Sequence, residues 1–181
     1  MYWWPAALER SATLRSSWPA GPDATVITTV SSAGKAQFAA AAGADHIINY
    51  RETDVAAEVR KIVPGGVDTI VEVSAATNGA LDSEILAVGG SIAMYADDGG
   101  AQVSIPIRAS MGPNARWQFV LVYTAPHEAK EHALHSVNAA LADGAIKICI
   151  PLHHFSLADS AKAHEAVQNS AVGKVLIDLT D

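Results

Sequence analysis

ATVITTVSSAGKAQFAAAAGADHIINY, residues 24–50, is the stretch whose reading decides the fold. TVITTV (25–30) is a β-branched run, too apolar on both sides to be half-exposed. Near-continuous Val and Ile is what a strand covered by helices on both faces requires. AGKAQFAAAAGA follows as an Ala-rich helix that Gly43 ends, and HIINY (46–50) is a second buried strand. Strand, helix and strand in so short a span form a βαβ unit, which implies a parallel sheet.

The chemistry belongs at the first turn of that unit, because ligands of doubly wound sheets lie outside the carboxyl ends of the strands. An acidic residue at the end of the first strand would accept the adenosine ribose hydroxyls of NAD and repel a 2′-phosphate. Here that strand ends in Ser31 and Ser32, Lys35 stands one turn into the helix, and Tyr50 and Arg51 end the next strand. Two hydroxyls, an ammonium, a phenol and a guanidinium suit a phosphate dianion. Taken singly, Lys35 and Arg51 read better as solvated surface charges. Their convergence on one sheet edge favours phosphate binding.

The segment VSSAGKAQFAAAAGADHIINYRETD resembles the corresponding part of the zinc-independent medium-chain dehydrogenase/reductases, the quinone oxidoreductase (zeta-crystallin-like) family. The similarity continues through GGVDTIVEVSA, LAVGGSIAMYA and AHEAVQNSAVGKVLIDL, so it runs from about Ala24 to the C-terminus and covers the cofactor-binding portion. The resemblance implies a Rossmann-like α/β fold, NADPH as cofactor, and Ser31, Ser32, Lys35 and Tyr50 around its 2′-phosphate. It also implies reduction of a quinone or enone by hydride transfer, without zinc, and leaves a homodimer open.

Composition narrows the class. Half of the 181 residues are apolar and 17% are charged, which suits one soluble globular domain with a sizeable core. A net charge of −7 without a basic stripe argues against nucleic acid. The lone Cys149 lies in the apolar run IKICI and reads as a buried thiol. No apolar run approaches a membrane span and no signal-peptide pattern opens the chain, so a reducing cytoplasm is expected.

Residues 1–23, MYWWPAALERSATLRSSWPAGPD, are atypical. They hold three of the four Trp and three of the eight Pro, with no glycine before Gly21. A dinucleotide fold should place its first strand, glycine fingerprint and first helix here. One reading takes MYWW as a short strand and PAALERSATLRSSW as a helix begun by Pro5. Another comes from the genetic code. In GC-rich codons, read two bases later, the segment can encode VLVAGGAGAVGHAAVQLARWAG: an apolar strand, a G-x-G-x-x-G turn and a helix. The middle base of each shifted codon is the first base of an observed residue, and codons for Ala6 through Ala12 can supply all seven bases that the glycine-rich run needs. Residues 1–23 are therefore expected to be an out-of-frame translation, and 24–181 the dinucleotide-binding domain, truncated or altered at its first strand and glycine turn.

Beyond Glu52 the pattern is regular. Thr53 is expected to cap a helix over DVAAEVRKIV, which Pro64-Gly65-Gly66 stops. DTIVEVSA is a buried strand that places Ser74 at its carboxyl end, among the cofactor-binding positions. ALDSEILAVGG is expected as a helix with a glycine stop, SIAMY as a strand with Tyr95 at the ligand edge, and ADDGGAQVSIPIRASMGPNAR as a long connection. WQFVLVYT is a strand, PHEAKEHALHSVNAALADGA a helix with Pro126 in its first turn, and IKICIPLHHF extended. Ser156 to Asp159 fit a capping box before DSAKAHEAVQNS, and KVLIDL is a last strand.

Two constellations suggest chemistry and do not carry it. His127 and His132 in HEAKEH are five apart, so their rings point about 140° apart on a helix, where a zinc pair needs a spacing of four. His153, His154 and His164 have no partnering Cys or carboxylate cluster. No metal site and no general acid or base is assigned, in keeping with a reaction whose chemistry is the nicotinamide's. In the strand order 3-2-1-4-5-6 the first strand is central, so its alteration would leave rows of buried amides unpaired. The chain is accordingly expected to be a poor catalyst. The alternative is a non-catalytic remnant that dimerises or holds nucleotide weakly.

Overall fold

The computed structural model describes residues 2–4, 24–144, 150–169 and 171–179, the first three as backbone alone. The βαβ unit is present: β2 (Val26–Val30), α1 (Ala33–Ala41) and β3 (His46–Asn49). It is preceded by the three-residue strand β1 (Tyr2–Trp4). Then follow α2 (Val55–Ile62), β4 (Val67–Glu72), α3 (Ala75–Ile85), β5 (Leu86–Met94), α4 (Ile107–Met111) and β6 (Arg116–Phe119). All six strands pair in parallel in the order β3-β2-β1-β4-β5-β6. This is the doubly wound Rossmann order expected from the sequence.

β1 occupies the central slot. Tyr2, Trp3 and Trp4 stand opposite Val26, Ile27 and Thr28 of β2, while Tyr2 and Trp3 stand opposite Thr69 and Ile70 of β4. The backbone amides of the middle of the sheet are thus paired over three residues. The helix expected over 5–18, and the apolar run around Cys149, lie outside the described residues.

The core is the layer between the sheet and the helices α2 and α3. Ile27, Ile48, Ile70, Ile92 and Met94 from the strands meet Val55, Val59, Ala75 and Ile85 from the helices. Ile27, Val59, Ile70 and Ile92 are fully buried, and each contributes roughly 1.5–3 kcal/mol by leaving water.

Several boundaries differ from expectation for local reasons. α2 is capped by Asp54, whose carboxylate accepts from Ala57 N at 3.1 Å, and not by Thr53, whose hydroxyl donates to Asn49 O at 3.1 Å. α3 begins earlier, at Ala75, and ends at Ile85, well before the glycines. Leu86 pairs with Val67, the ladder then slips, and it resumes with Ser91 opposite Thr69. The residues between bulge out, with Gly89 at φ +75. The long connection after β5 contains α4, and the run after Phe119 closes in a 3-10 turn at Val122–Thr124.

The C-terminal part stands apart from the large sheet. α5 (His127–Ala142) follows Pro126. β7 (Leu152–Ser156) and β8 (Lys174–Asp178) form a separate parallel pair crossed by α6 (Ser160–Gln168). The expected capping box is replaced by a different bond. Ser156 Oγ donates to Asp159 Oδ2 at 3.0 Å, and a 3-10 turn precedes the helix.

Candidate functional site

The carboxyl ends of β2 and β3 meet where the sequence places the phosphate. Tyr50 N donates to Val30 O at 3.1 Å, which ties the residue after β3 to the last residue of β2. Ser31 follows directly and is half-buried. Ser32 is the N-cap of α1, and its hydroxyl accepts from Lys35 N at 3.4 Å. Lys35 is half-buried in the first turn of α1, and the Tyr50 ring is 46% exposed. Ser31, Ser32, Lys35 and Tyr50 therefore gather at one corner of the sheet, with Arg51 exposed beside them. Ser32, as N-cap, puts the positive end of α1 at the same corner, which favours an anion.

Asn49, which sequence reading passed over, shapes this corner. Its carbonyl accepts from Glu52 N, Thr53 N and the Thr53 hydroxyl at 3.1–3.2 Å, and its side-chain oxygen accepts from Arg51 N at 3.2 Å. The turn that presents Tyr50 and Arg51 is built on that one residue. An Asn closing a strand is a turn signal, and it was legible as such.

Ser74 lies elsewhere on the edge. It caps α3 after β4, and β4 is separated from β2 by β1, so two strand spacings of about 4.8 Å put it roughly 10 Å from Ser31. It therefore faces the crevice at the switch point of the topology, not the Lys35 corner. An ideal Cβ on Gly99 would stand 2.6 Å from both the Ser74 and Thr77 hydroxyl oxygens, so the loop after β5 packs its backbone against this turn. Tyr95, 46% exposed, ends β5 on the same edge, and its N–H donates to Glu72 O at 3.3 Å.

Beneath Ser74 are two carboxyls that sequence reading missed. Glu72 is fully buried. Its Oε1 accepts from Val73 N at 2.8 Å, from Ser74 N in a short contact, and from Asn78 Nδ2 at 3.2 Å. Asp82, one turn beyond Asn78 on α3, is also fully buried, and neither of its oxygens has a hydrogen-bond partner. Burial first, and then the Glu72 charge beside it, push the Asp82 carboxyl up to about 9. The only signal in the sequence was an acidic residue inside an apolar strand, VDTIVE.

Among the described residues, no group of three or more His, Cys, Asp or Glu side chains is placed to hold a metal ion. His154 Nδ1 pairs with Asp178 at 3.0 Å, and His127 with Glu131 at 3.2 Å, both at the surface. No helix of the described residues is long and apolar enough to cross a membrane.

A family model described as zinc-binding dehydrogenase matches residues 42–177, most of the chain. The chain belongs to the zinc-binding dehydrogenase family. Within it, the matched stretch is the C-terminal cofactor-binding portion of a medium-chain dehydrogenase/reductase. The described residues offer no donor set for the metal in the family's name. No curated protein matches the chain by sequence.

Solved structures of the family share the fold. An Escherichia coli quinone oxidoreductase complexed with NADPH superposes with a TM-score of 0.79 at 22% identity, over 98% of this chain and 56% of that one. A mycobacterial quinone oxidoreductase gives 0.80 at 24% identity, over 96% of this chain and 55% of that one. An NAD-dependent alcohol dehydrogenase gives 0.72 at 19% identity, over 99% and 51%. The chain thus spans little more than half the length of the structures it matches.

Proposed function

We propose that this chain is the nucleotide-holding part of an NADPH-dependent oxidoreductase that reduces quinones or enones. The observation that carries the reading is the Ser31, Ser32, Lys35 and Tyr50 corner, where the Tyr50–Val30 backbone bond draws two strand ends together. No carboxylate stands at the end of β2 to take a 2′-hydroxyl, and the donors present match a phosphate. The residues fit the adenosine end of NADPH, with Ser74 at the crevice toward which the rest of a dinucleotide would extend. When bound, NADPH supplies the hydride. The protein's share is to hold the phosphate, orient the nucleotide and exclude water.

Residues 24–181 act as the dinucleotide-binding domain, and 1–23 as an out-of-frame substitute for its glycine turn. Trp4-Pro5-Ala6-Ala7 offers a proline without an N–H and side chains where a pyrophosphate needs bare backbone. Losing several charge-assisted bonds at about 1.5–3 kcal/mol each weakens binding by orders of magnitude. The chain is accordingly a poor reductase, working without zinc in the cytoplasm.

A second reading, a remnant that dimerises without turning over, is favoured by the uncovered edge of β6. Phe119, Leu121, Val122 and Tyr123 there are 57–85% exposed. One paired assay separates the two readings. The 181-residue chain is measured with NADPH and a small quinone beside a chain whose first residues are replaced by VLVAGGAGAVGHAAVQLARWAG. Turnover that rises at least about hundredfold in the replaced chain supports the reductase reading. Equal turnover refutes the impairment, and none in either chain favours the remnant.

A further inference from the structure

Glu72, at the end of β4, and Asp82, on α3, are both fully buried, and the same two elements supply Ile70, Ala75 and Ile85 to the apolar core. Glu72 already accepts from three donors: two backbone N–H groups at the start of α3 and the Asn78 amide. Asp82 accepts from none, and it lies one turn beyond Asn78, whose amide is bonded to the Glu72 carboxylate, on the same α3. Two carboxylates in that position repel each other with no donor between them. One carboxyl and one carboxylate make a hydrogen bond, and the geometry assigns the roles: Glu72 is the acceptor, Asp82 the donor.

We infer that Asp82 and Glu72 share a single proton inside the β4–α3 interface. This proton fixes the Val73–Ser74 turn at the crevice, so nucleotide affinity there falls when the proton leaves to solvent. The last clause rests on the proposed function; the shared proton does not.

Among the described residues, no other charged group is paired with Asp82. β4 carries Asp68 besides Glu72, at its exposed beginning, and β5 carries no charge. On α3, Glu84 is exposed and bonded to Arg60 of α2 at 2.6 Å. Glu58 and Lys61 of α2 bond each other at 2.6 Å. Arg108 of α4 and Asp97 of the loop after β5 are exposed, and Asp98 is half-buried. From β1, Tyr2 is the one titratable residue. With the proton gone, two anions occupy an apolar layer, and the less costly outcome is for one to swing toward water. Glu72 cannot do so without dropping the amides of Val73 and Ser74, which reshapes the turn that Gly99 packs against.

The test reads those two amides in the full chain. Their nitrogen–proton resonances are followed from about pH 6 to about pH 10, a window that brackets an Asp82 titration near 9. Both should move together in the alkaline half, and should hold still in Asp82→Asn, whose side-chain N–H donates to Glu72 at every pH. An infrared band of a protonated carboxyl should be present in the unmodified chain at neutral pH and absent above the transition, which needs no variant. Resonances that stay put in the unmodified chain, or that move equally in Asp82→Asn, overturn the shared proton. NADPH affinity should drop about tenfold more across the transition in the unmodified chain than in Asp82→Asn, the loss expected of roughly one hydrogen bond. Equal drops overturn the link to binding. If the resonances titrate while NADPH binds at no pH, the shared proton stands and the proposed function fails.

Discussion

In the proposed function, Lys35 is the residue on which cofactor preference turns. It stands half-buried in the first turn of α1, where the proposed function puts the 2′-phosphate. Lys35→Ala should weaken NADPH about 10–100-fold, the loss of a charge-assisted bond of roughly 1.5–3 kcal/mol. NADH, lacking the phosphate, should be nearly unaffected, and fluorescence titration of both nucleotides checks this. Asp82 carries the pH dependence of stability. Its carboxyl is raised from 3.8 to about 9 in the folded chain, so its contribution is intact below the unfolded value and is lost as pH climbs toward 9. Asp82→Asn should therefore melt higher than the unmodified chain at pH 8, with the gap shrinking toward pH 5. A gap that widens on acidification would reverse the assignment. The place of Lys35 in the first turn of α1 was legible in the sequence, because Ser31 and Ser32 mark the end of the preceding strand. Asp82 was not. It stands between Leu81 and Ser83 in a helix where a lone acid reads as solvated surface, and nothing local tells that Glu72 lies across the layer.

At the scale of elements, helix ends and glycines decide the geometry. Asp54→Ala should cost about 1 kcal/mol, the usual worth of an N-cap, and Thr53→Ala clearly less, since its hydroxyl caps the strand end at Asn49 instead. Denaturant midpoints compare the two. Gly66, at φ +91, lies where a Cβ would come within 2.6 Å of Ala87 N, so β4 can begin beside the β5 bulge only with glycine there. Gly66→Ala should destabilise by at least about 1–3 kcal/mol, by strain and overlap together. Periodicity located β2, β3 and α2 to within about one residue and overshot the end of β4 by about three, because their apolar runs are long and bounded. It misplaced the end of α3, because LAVGG is equally compatible with a helix end and a strand start. The Leu86–Val67 pairing that decides between them is a tertiary contact. One sequence reading took MYWW as a short strand that could fill the central slot, and β1 does pair there with β2 and β4.

Among the described residues the large sheet is doubly wound, with the Ser31, Ser32, Lys35 and Tyr50 corner at one side and the exposed apolar edge of β6 at the other. That edge, from Phe119 to Tyr123, suits a second copy of the chain laid alongside β6. Sedimentation should find a dimer that Leu121→Lys converts to monomer; a monomer before substitution would dismiss the edge as a self-association surface. The order of the large sheet was legible from the succession of strand and helix. The separate β7–β8 pair was not, since nothing in IKICIPLHHF or KVLIDL says which sheet they join. The central claim, that the corner of Ser31, Ser32, Lys35 and Tyr50 selects a 2′-phosphate, can be measured without the glycine turn. Titration calorimetry with adenosine 2′,5′-bisphosphate and with adenosine 5′-monophosphate isolates the one group in question. The bisphosphate should bind at least about tenfold more tightly, as one charge-assisted contact implies, and that advantage should vanish in Lys35→Ala. Equal affinity for the two ligands in the unmodified chain would contradict the account.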